Sequence, residues 1–137
     1  RLNNSGIKAL DISGLGGTHW GRIEGFRTQN TQQQKAAHTF KDWGVSTVNA
    51  MLSAQSLSLD YEIWGSGGIR DGQDSAKMLA LGATTIGFAR PLLKAALESD
   101  AAIIDFMKTI EFELKTALFC TGNATIKALQ EDPHALR

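Results

Sequence analysis

Cysteine is almost absent: Cys120 stands alone among 137 residues, which rules out an internal disulfide and leads us to expect a reducing, cytoplasmic setting. Neither sign of charge is in surplus. The 14 Lys and Arg offset 14 Asp and Glu, so no overall field draws the chain to nucleic acid or to an acidic membrane surface. No stretch of about 18 apolar residues is available to cross a bilayer, and no secretory signal pattern, fixed-period repeat or low-complexity tract is seen. An initiating Met is also missing. Residues 1–6, Arg-Leu-Asn-Asn-Ser-Gly, read as the last turn of a helix with its glycine stop, feeding a strand directly. A single partial domain over 1–137, a piece of a longer protein, is therefore expected.

Glycine turns are what the chain does have. Trp64-Gly-Ser-Gly-Gly-Ile-Arg-Asp-Gly72 is followed by Asp74, Ala76, Lys77, a Leu-Ala-Leu-Gly run and Gly87-Phe-Ala-Arg-Pro91. The pattern predicts strand, glycine turn, short helix, second strand and second turn. Glycine turns and helix N-termini both aim backbone N–H dipoles at one point, so two such strands side by side form a phosphate cradle. In barrels of alternating strands and helices, the tips of the last two strands are a recurrent phosphate site.

Along the chain, residues 7–13 alternate Leu10 and Ile12 with Asp11 and Ser13, as a strand with one apolar face does. Residues 18–46 show weak periodicity and much Gln, Thr and Asn, and they read as a long functional loop. Trp20, Ile23, Phe26 and Trp43 in that loop are expected to be anchors that seek burial. Ser46 predicts an N-cap for a helix with Val48, Leu52 and Leu59 on one face. Strands at 61–66 and 84–89 bracket a helix at 73–81 that stops at Gly82. A helix begins at Pro91, and Ile103, Met107, Ile110, Leu114 and Leu118 form an amphipathic stripe that predicts packing against the barrel wall, with a subunit contact as the alternative. Asn123 is expected to cap a short last helix.

Alternation of this kind calls for parallel strands joined by helical crossovers. About three βα units are present, whereas a closed barrel takes eight strands and about 250 residues. Three strands alone leave edges and a sheet face uncovered. The expected fold is α/β, the C-terminal portion of a (β/α)8 TIM barrel.

The series Asp11-Ile-Ser-Gly-Leu-Gly-Gly-Thr-His-Trp20, Ile23-Glu24, Arg27, Asp42-Trp-Gly44 and Thr47 resembles the type 2 isopentenyl-diphosphate isomerases. Ser66-Gly-Gly-Ile-Arg70, Asp74, Ala76-Lys77, Leu79-Ala-Leu-Gly-Ala83, Ala89-Arg-Pro91 and Phe119-Cys-Thr-Gly122 continue the likeness over nearly the whole chain. The resemblance implies an FMN-dependent barrel enzyme, an oligomer that moves a double bond between isopentenyl and dimethylallyl diphosphate. It implies FMN reduced by NAD(P)H and serving as the acid–base centre at the allylic carbon, with Mg2+ on the substrate diphosphate. The flavin-contacting lysine and the Gln-Glu pair at substrate and metal would precede Arg1. The chain by itself is accordingly expected to hold much of the FMN site and to be inactive.

For the cofactor, the reading names Ser13 and Thr18 at the first strand's end, Gly67, Gly68, Ile69 and Arg70 at the second, and Ala89 and Arg90 at the third. The backbone is expected to supply most of the phosphate contacts, with Arg70 free to add charge. Ser13 and Thr18 also read as ordinary turn caps. Glu24 is the catalytic candidate for proton handling, weighed against a surface pair with Arg27. Trp20 is the candidate for packing on the prenyl chain. Asp11 is expected to be buried and hydrogen-bonded, Tyr61 and Trp64 to fill the barrel or its helix layer, and His19 and His38 to hold no metal. Two other readings remain: another FMN-dependent TIM-barrel oxidoreductase, such as a hydroxy-acid oxidase, and a non-catalytic phosphate-binding half-barrel. The first would carry catalytic His or Cys at strand ends; the second would have no use for Trp20, Glu24 and Trp43 together.

Overall fold

Strand–helix alternation is realised as a parallel sheet in a computed structural model that describes residues 2–57 and 59–136. The order is β1 (Ala9–Ile12), α1 (Trp20–Arg27), α2 (Thr31–Thr39), α3 (Thr47–Gln55), β2 (Glu62–Gly65), α4 (Gly72–Ala80), β3 (Thr85–Ile86), α5 (Arg90–Glu98), α6 (Asp100–Cys120) and α7 (Ile126–Glu131). The strands lie in the order β1-β2-β3, all parallel, with Leu10 opposite Ile63, Ile12 opposite Gly65, and Gly65 opposite Ile86.

One sheet face is covered. Ile12, Ile63 and Ile86 pack against Met51 of α3 and Met78 of α4, with Ile69, Leu81 and Ala83 completing the cluster. Gly65 has no side chain because a Cβ there would lie 2.7 Å from the Met78 methyl. A second cluster joins Ala76 and Leu79 of α4 to Leu129 of α7 and to Leu114, Ala117 and Leu118 of α6. Gly82 ends the α4 turn at φ +85°, where a Cβ is costly. The opposite sheet face carries Asp11, Glu62 and Trp64, all exposed. The Trp64 indole donates to Glu62 Oε2 at 2.9 Å, and Thr84 Oγ1 donates to the same oxygen at 3.2 Å.

Several local expectations are corrected. Residues 2–5 form a turn closed by the Ser5 N–H on the Leu2 carbonyl, not the end of a helix. Residues 18–46 are not a loop but hold α1 and α2, capped by His19 Nδ1 and Asn30 Oδ1. These helices bury no residue fully, which is why the sequence shows no apolar stripe there. They meet instead through small residues, with Gly25 against Ala37 and no room for a Cβ. Trp20, Phe26 and Trp43 are exposed rather than buried, at 72%, 85% and 76%. Trp43 stacks edge-on against Phe40, ring centroids 5.6 Å apart.

In α3 the buried pair is Thr47 and Met51, not Val48 and Leu52, and Leu59 lies past the helix end. Ser99 separates α5 from α6 and caps the latter through Ala102 N. Met107 is exposed, and Phe106 takes its expected place by packing edge-on to Phe88 at 5.6 Å. Thr125, not Asn123, caps α7. Asn123 instead donates its amide to Asp132 Oδ2 at 3.1 Å, while His134 N–H donates to Oδ1 at 2.8 Å.

Truncation of the core should cost what cavities cost. Met51→Ala and Leu129→Ala are each expected to lower unfolding free energy by about 2–5 kcal/mol, and exposed Phe119→Ala to change it by no more than about 0.5, as read by urea unfolding. The His134 N–H, followed by the Asn123 amide, holds the Asp132 carboxyl below its ordinary range. A depressed folded-state value adds stability above the unfolded value and loses it as pH falls through the folded one. Asp132→Asn is therefore expected to lower the unfolding midpoint at neutral pH, and that deficit should vanish below the carboxylate range.

Candidate functional site

The C-terminal ends of all three strands open on one cavity of about 760 Å³. That is the size class of small-molecule and cofactor sites. Asp11, Ser13 and the Gly16–Thr18 turn line it from β1, Ser66 to Arg70 from β2, and Gly87 to Pro91 from β3. Helix α1 contributes Arg22, Ile23 and Phe26. All eight residues expected at a cofactor, Ser13, Thr18, Gly67, Gly68, Ile69, Arg70, Ala89 and Arg90, face this one space.

The backbone at the tips is set by steric exclusion. Gly67 and Gly68 have φ +81° and +92°, in the region that side chains avoid. A Cβ on Gly16 would fall 2.6 Å from the Gly67 carbonyl oxygen, and one on Gly17 would fall 2.9 Å from Gly68 N. The β1 and β2 turns thus touch backbone to backbone. Ser66 Oγ donates to Asp11 Oδ2 at 2.8 Å and ties the two strand ends side by side. Asp11 was expected to be buried; it is exposed and hydrogen-bonded.

Anion-binding capacity follows from which N–H groups are left over. Among the described residues, the N–H groups of Gly67, Gly68, Ile69, Phe88 and Ala89 donate to no protein acceptor. Ala89 is the N-cap of α5 and makes no side-chain cap bond, so the positive end of that helix faces the cavity open. Helix α4 behaves differently. Asp71 accepts from Asp74 N at 2.8 Å, and Glu113 of α6 accepts from Gly72 N at 2.7 Å, so carboxylates occupy its N-terminus. Of the two helices that follow the glycine turns, only α5 offers its dipole to a ligand.

Arg70 was expected to donate its N–H to a phosphate and to keep a free guanidinium. Both its N–H (3.2 Å) and its Nε (3.1 Å) are taken by Asp74 Oδ2. Among the described residues Arg22 and Arg90 form no ion pair, and they set the cavity's positive charge against Asp11. Glu24 and Trp20 lie off the cavity wall. The Glu24 carboxylate is 3.7 Å from Arg27, with both side chains mostly exposed, which is the surface-pair geometry. His19 Nδ1 is engaged as the α1 cap at 3.2 Å from Arg22 N.

The sequence carries no signal that Arg22 and Phe26 line the cavity, since α1 has no apolar stripe and only a helix places positions 22, 23 and 26 on one side. The capping of α4 did leave a signal, Asp71 three residues before Asp74. Among the described residues no group of three or more His, Cys, Asp or Glu is placed to hold a metal ion. No helix among them is long and apolar enough to cross a membrane.

An FMN phosphate fits what is present: partnerless N–H groups, an uncapped helix N-terminus, and turns where a Cβ would fill the cradle. Residues 6–136 match the family described as FMN-dependent dehydrogenase. The chain is 54% identical over 132 residues to an isopentenyl-diphosphate delta-isomerase of Legionella pneumophila (strain Corby), covering 96% of this chain and 39% of that protein. Proteins of the same name from Bdellovibrio bacteriovorus and Nostoc sp. are 45% and 42% identical, each over 95% of this chain and over 38% and 37% of their own length. The chain thus spans about two fifths of the length of these curated relatives.

Gly68→Val places a branched side chain at φ +92° against the Gly16 carbonyl. It is expected to weaken FMN binding by roughly a hundredfold, whereas Arg70→Ala, which removes a guanidinium already held by Asp74, should cost only about two- to fivefold. Flavin fluorescence titration of both variants measures this, and equal losses would contradict a backbone-made site.

Proposed function

The chain belongs to the FMN-dependent dehydrogenase family, and on that premise we propose that its cavity holds the FMN of an enzyme interconverting isopentenyl and dimethylallyl diphosphate. One observation carries the cofactor assignment: partnerless N–H groups at the tips of two adjacent parallel strands open on a single cavity beside an uncapped helix N-terminus. The choice of this reaction within the family rests on the similarity to the isomerases named above.

In this reading, Gly67, Gly68, Ile69 and Ala89 bind the phosphate by N–H groups, with Arg90 adding charge. Ser13 and Thr18 hold the rest of the cofactor at the β1 tip. When bound and reduced, the flavin supplies the acid–base chemistry of the double-bond shift. The chain's own residues bind, orient and screen: Ile23, Phe26 and Phe88 give the cavity an apolar wall that limits water, and Arg22 presents positive charge from α1. Glu24 and Trp20 stay in the proposal only as residues of the same helix, since neither reaches the cavity wall.

The wider proposal includes a small-molecule diphosphate substrate, Mg2+ on that diphosphate, NAD(P)H as reductant, a cytoplasmic homo-oligomer, and the three βα units as the closing segment of a TIM barrel. Among the described residues no group of three or more His, Cys, Asp or Glu is placed to hold Mg2+.

The test uses the protein at its native full length. It should purify yellow or take up FMN, and with Mg2+ and reductant it should convert isopentenyl diphosphate to dimethylallyl diphosphate with no net consumption of reductant. Failure to turn over isopentenyl diphosphate would overturn the isomerase reading. Oxidation of a 2-hydroxy acid in its place would move the protein to an oxidoreductase role.

A further inference from the structure

Thr47 and Ser75 are the buried polar residues among those described, and Ser75 serves its own helix by donating to the Asp71 carbonyl at 2.8 Å. Thr47 does something else. At 6% exposure, behind the cavity rather than in its wall, its hydroxyl donates to the Gly67 carbonyl at 2.9 Å. Its surroundings are closed by glycine: a Cβ on Gly14 would fall 2.5 Å from Thr47 N, and one on Gly16 would fall 2.8 Å from Thr47 Oγ1. Leu15 N–H donates to the Val45 carbonyl at 2.7 Å and holds the β1 turn against the start of α3.

The peptide that Thr47 grips joins two glycines of positive φ. Glycine accepts either sign of φ, so a Gly-Gly peptide has little steric resistance to turning over and exchanging the directions of its C=O and N–H. In a trans peptide these two groups point opposite ways. A carbonyl fixed on Thr47 therefore sends the Gly68 N–H to the far side, where Gly68 lines the cavity and its N–H has no protein acceptor. Turned over, the same peptide would present a carbonyl oxygen to an incoming anion. The geometry points to Thr47 as a positioning residue that locks the Gly67–Gly68 peptide in its anion-binding orientation.

This inference rests on the reading of the cavity as an FMN phosphate site, and the experiment separates the two. FMN and riboflavin differ only in the phosphate, so the ratio of their dissociation constants isolates the phosphate contribution from general folding. The native-length protein should bind FMN more tightly than riboflavin. Thr47→Val, equal in shape but without a donor, is expected to shrink that preference by roughly tenfold or more while riboflavin affinity holds. Thr47→Ser is expected to restore the preference.

A Thr47→Val protein that melts at a lower temperature yet keeps the full FMN preference would show a structural role only and overturn the inference. A native protein with no preference at all would remove the phosphate site, and this inference with it. Because Thr47→Val leaves a buried carbonyl unpaired and could fail to fold, the native protein gives an independent reading. Its Gly68 amide proton should shift downfield on FMN titration and not on riboflavin titration, and an unmoved Gly68 amide would equally overturn the inference.

Discussion

Two turns from different strands touch through bare backbone, and the site depends on that contact. Gly16 and Gly17 of the β1 turn meet Gly67 and Gly68 of the β2 turn at distances that exclude a Cβ on either side. Close approach packs the two loops with no side chain between them, but glycine alone would leave those loops conformationally loose. Order comes from behind. Thr47 ties the Gly67 carbonyl to α3, the Val45 carbonyl holds Leu15, and Ile69 sinks its side chain into the cluster of Met51 and Met78. The mobile residue type thus sits at the cavity face and rigid packing sits one layer back.

A second division concerns helix dipoles. Both α4 and α5 begin at a strand tip and carry the same partial positive charge there. Asp71 and Glu113 take up the first N–H groups of α4, and Asp74 takes up Arg70. The α5 end, with Ala89 as cap and Pro91 in its first turn, has no such acceptor. Which N–H groups stay open at the cavity is therefore as much a product of where carboxylates stand as of where glycines do. In a chain of zero formal net charge, local positive potential comes from the placement of groups rather than from their number.

Family membership fits this arrangement without specifying the reaction. One fold and one phosphate site can serve many chemistries, so the reaction is decided by the other groups around the cavity. Helix α1 supplies Arg22, Ile23 and Phe26 there. On the other sheet face Ser66 donates to Asp11, while Trp64 and Thr84 both donate to Glu62.

Much of this was legible from residue order. The alternation in β1, the Gly-Gly turn after β2, the Gly82 stop and Pro91 at the head of α5 act locally, through φ preferences and hydrogen bonds a few residues away, so sequence alone sets them. The cavity-lining residues expected at strand ends were found for the same reason, since a strand's direction decides which tip its turn occupies. The helices of 18–46 were not legible, because α1 and α2 have no apolar stripe and are set by two caps and a Gly25–Ala37 contact. Nor could spacing reveal that Arg70 is neutralised by Asp74, that Glu113 reaches α4 from 41 residues away, or that Thr47 rather than Val48 turns inward. Those outcomes compare long-range partners competing for the same donor or the same buried space, and only the folded chain brings the competitors together.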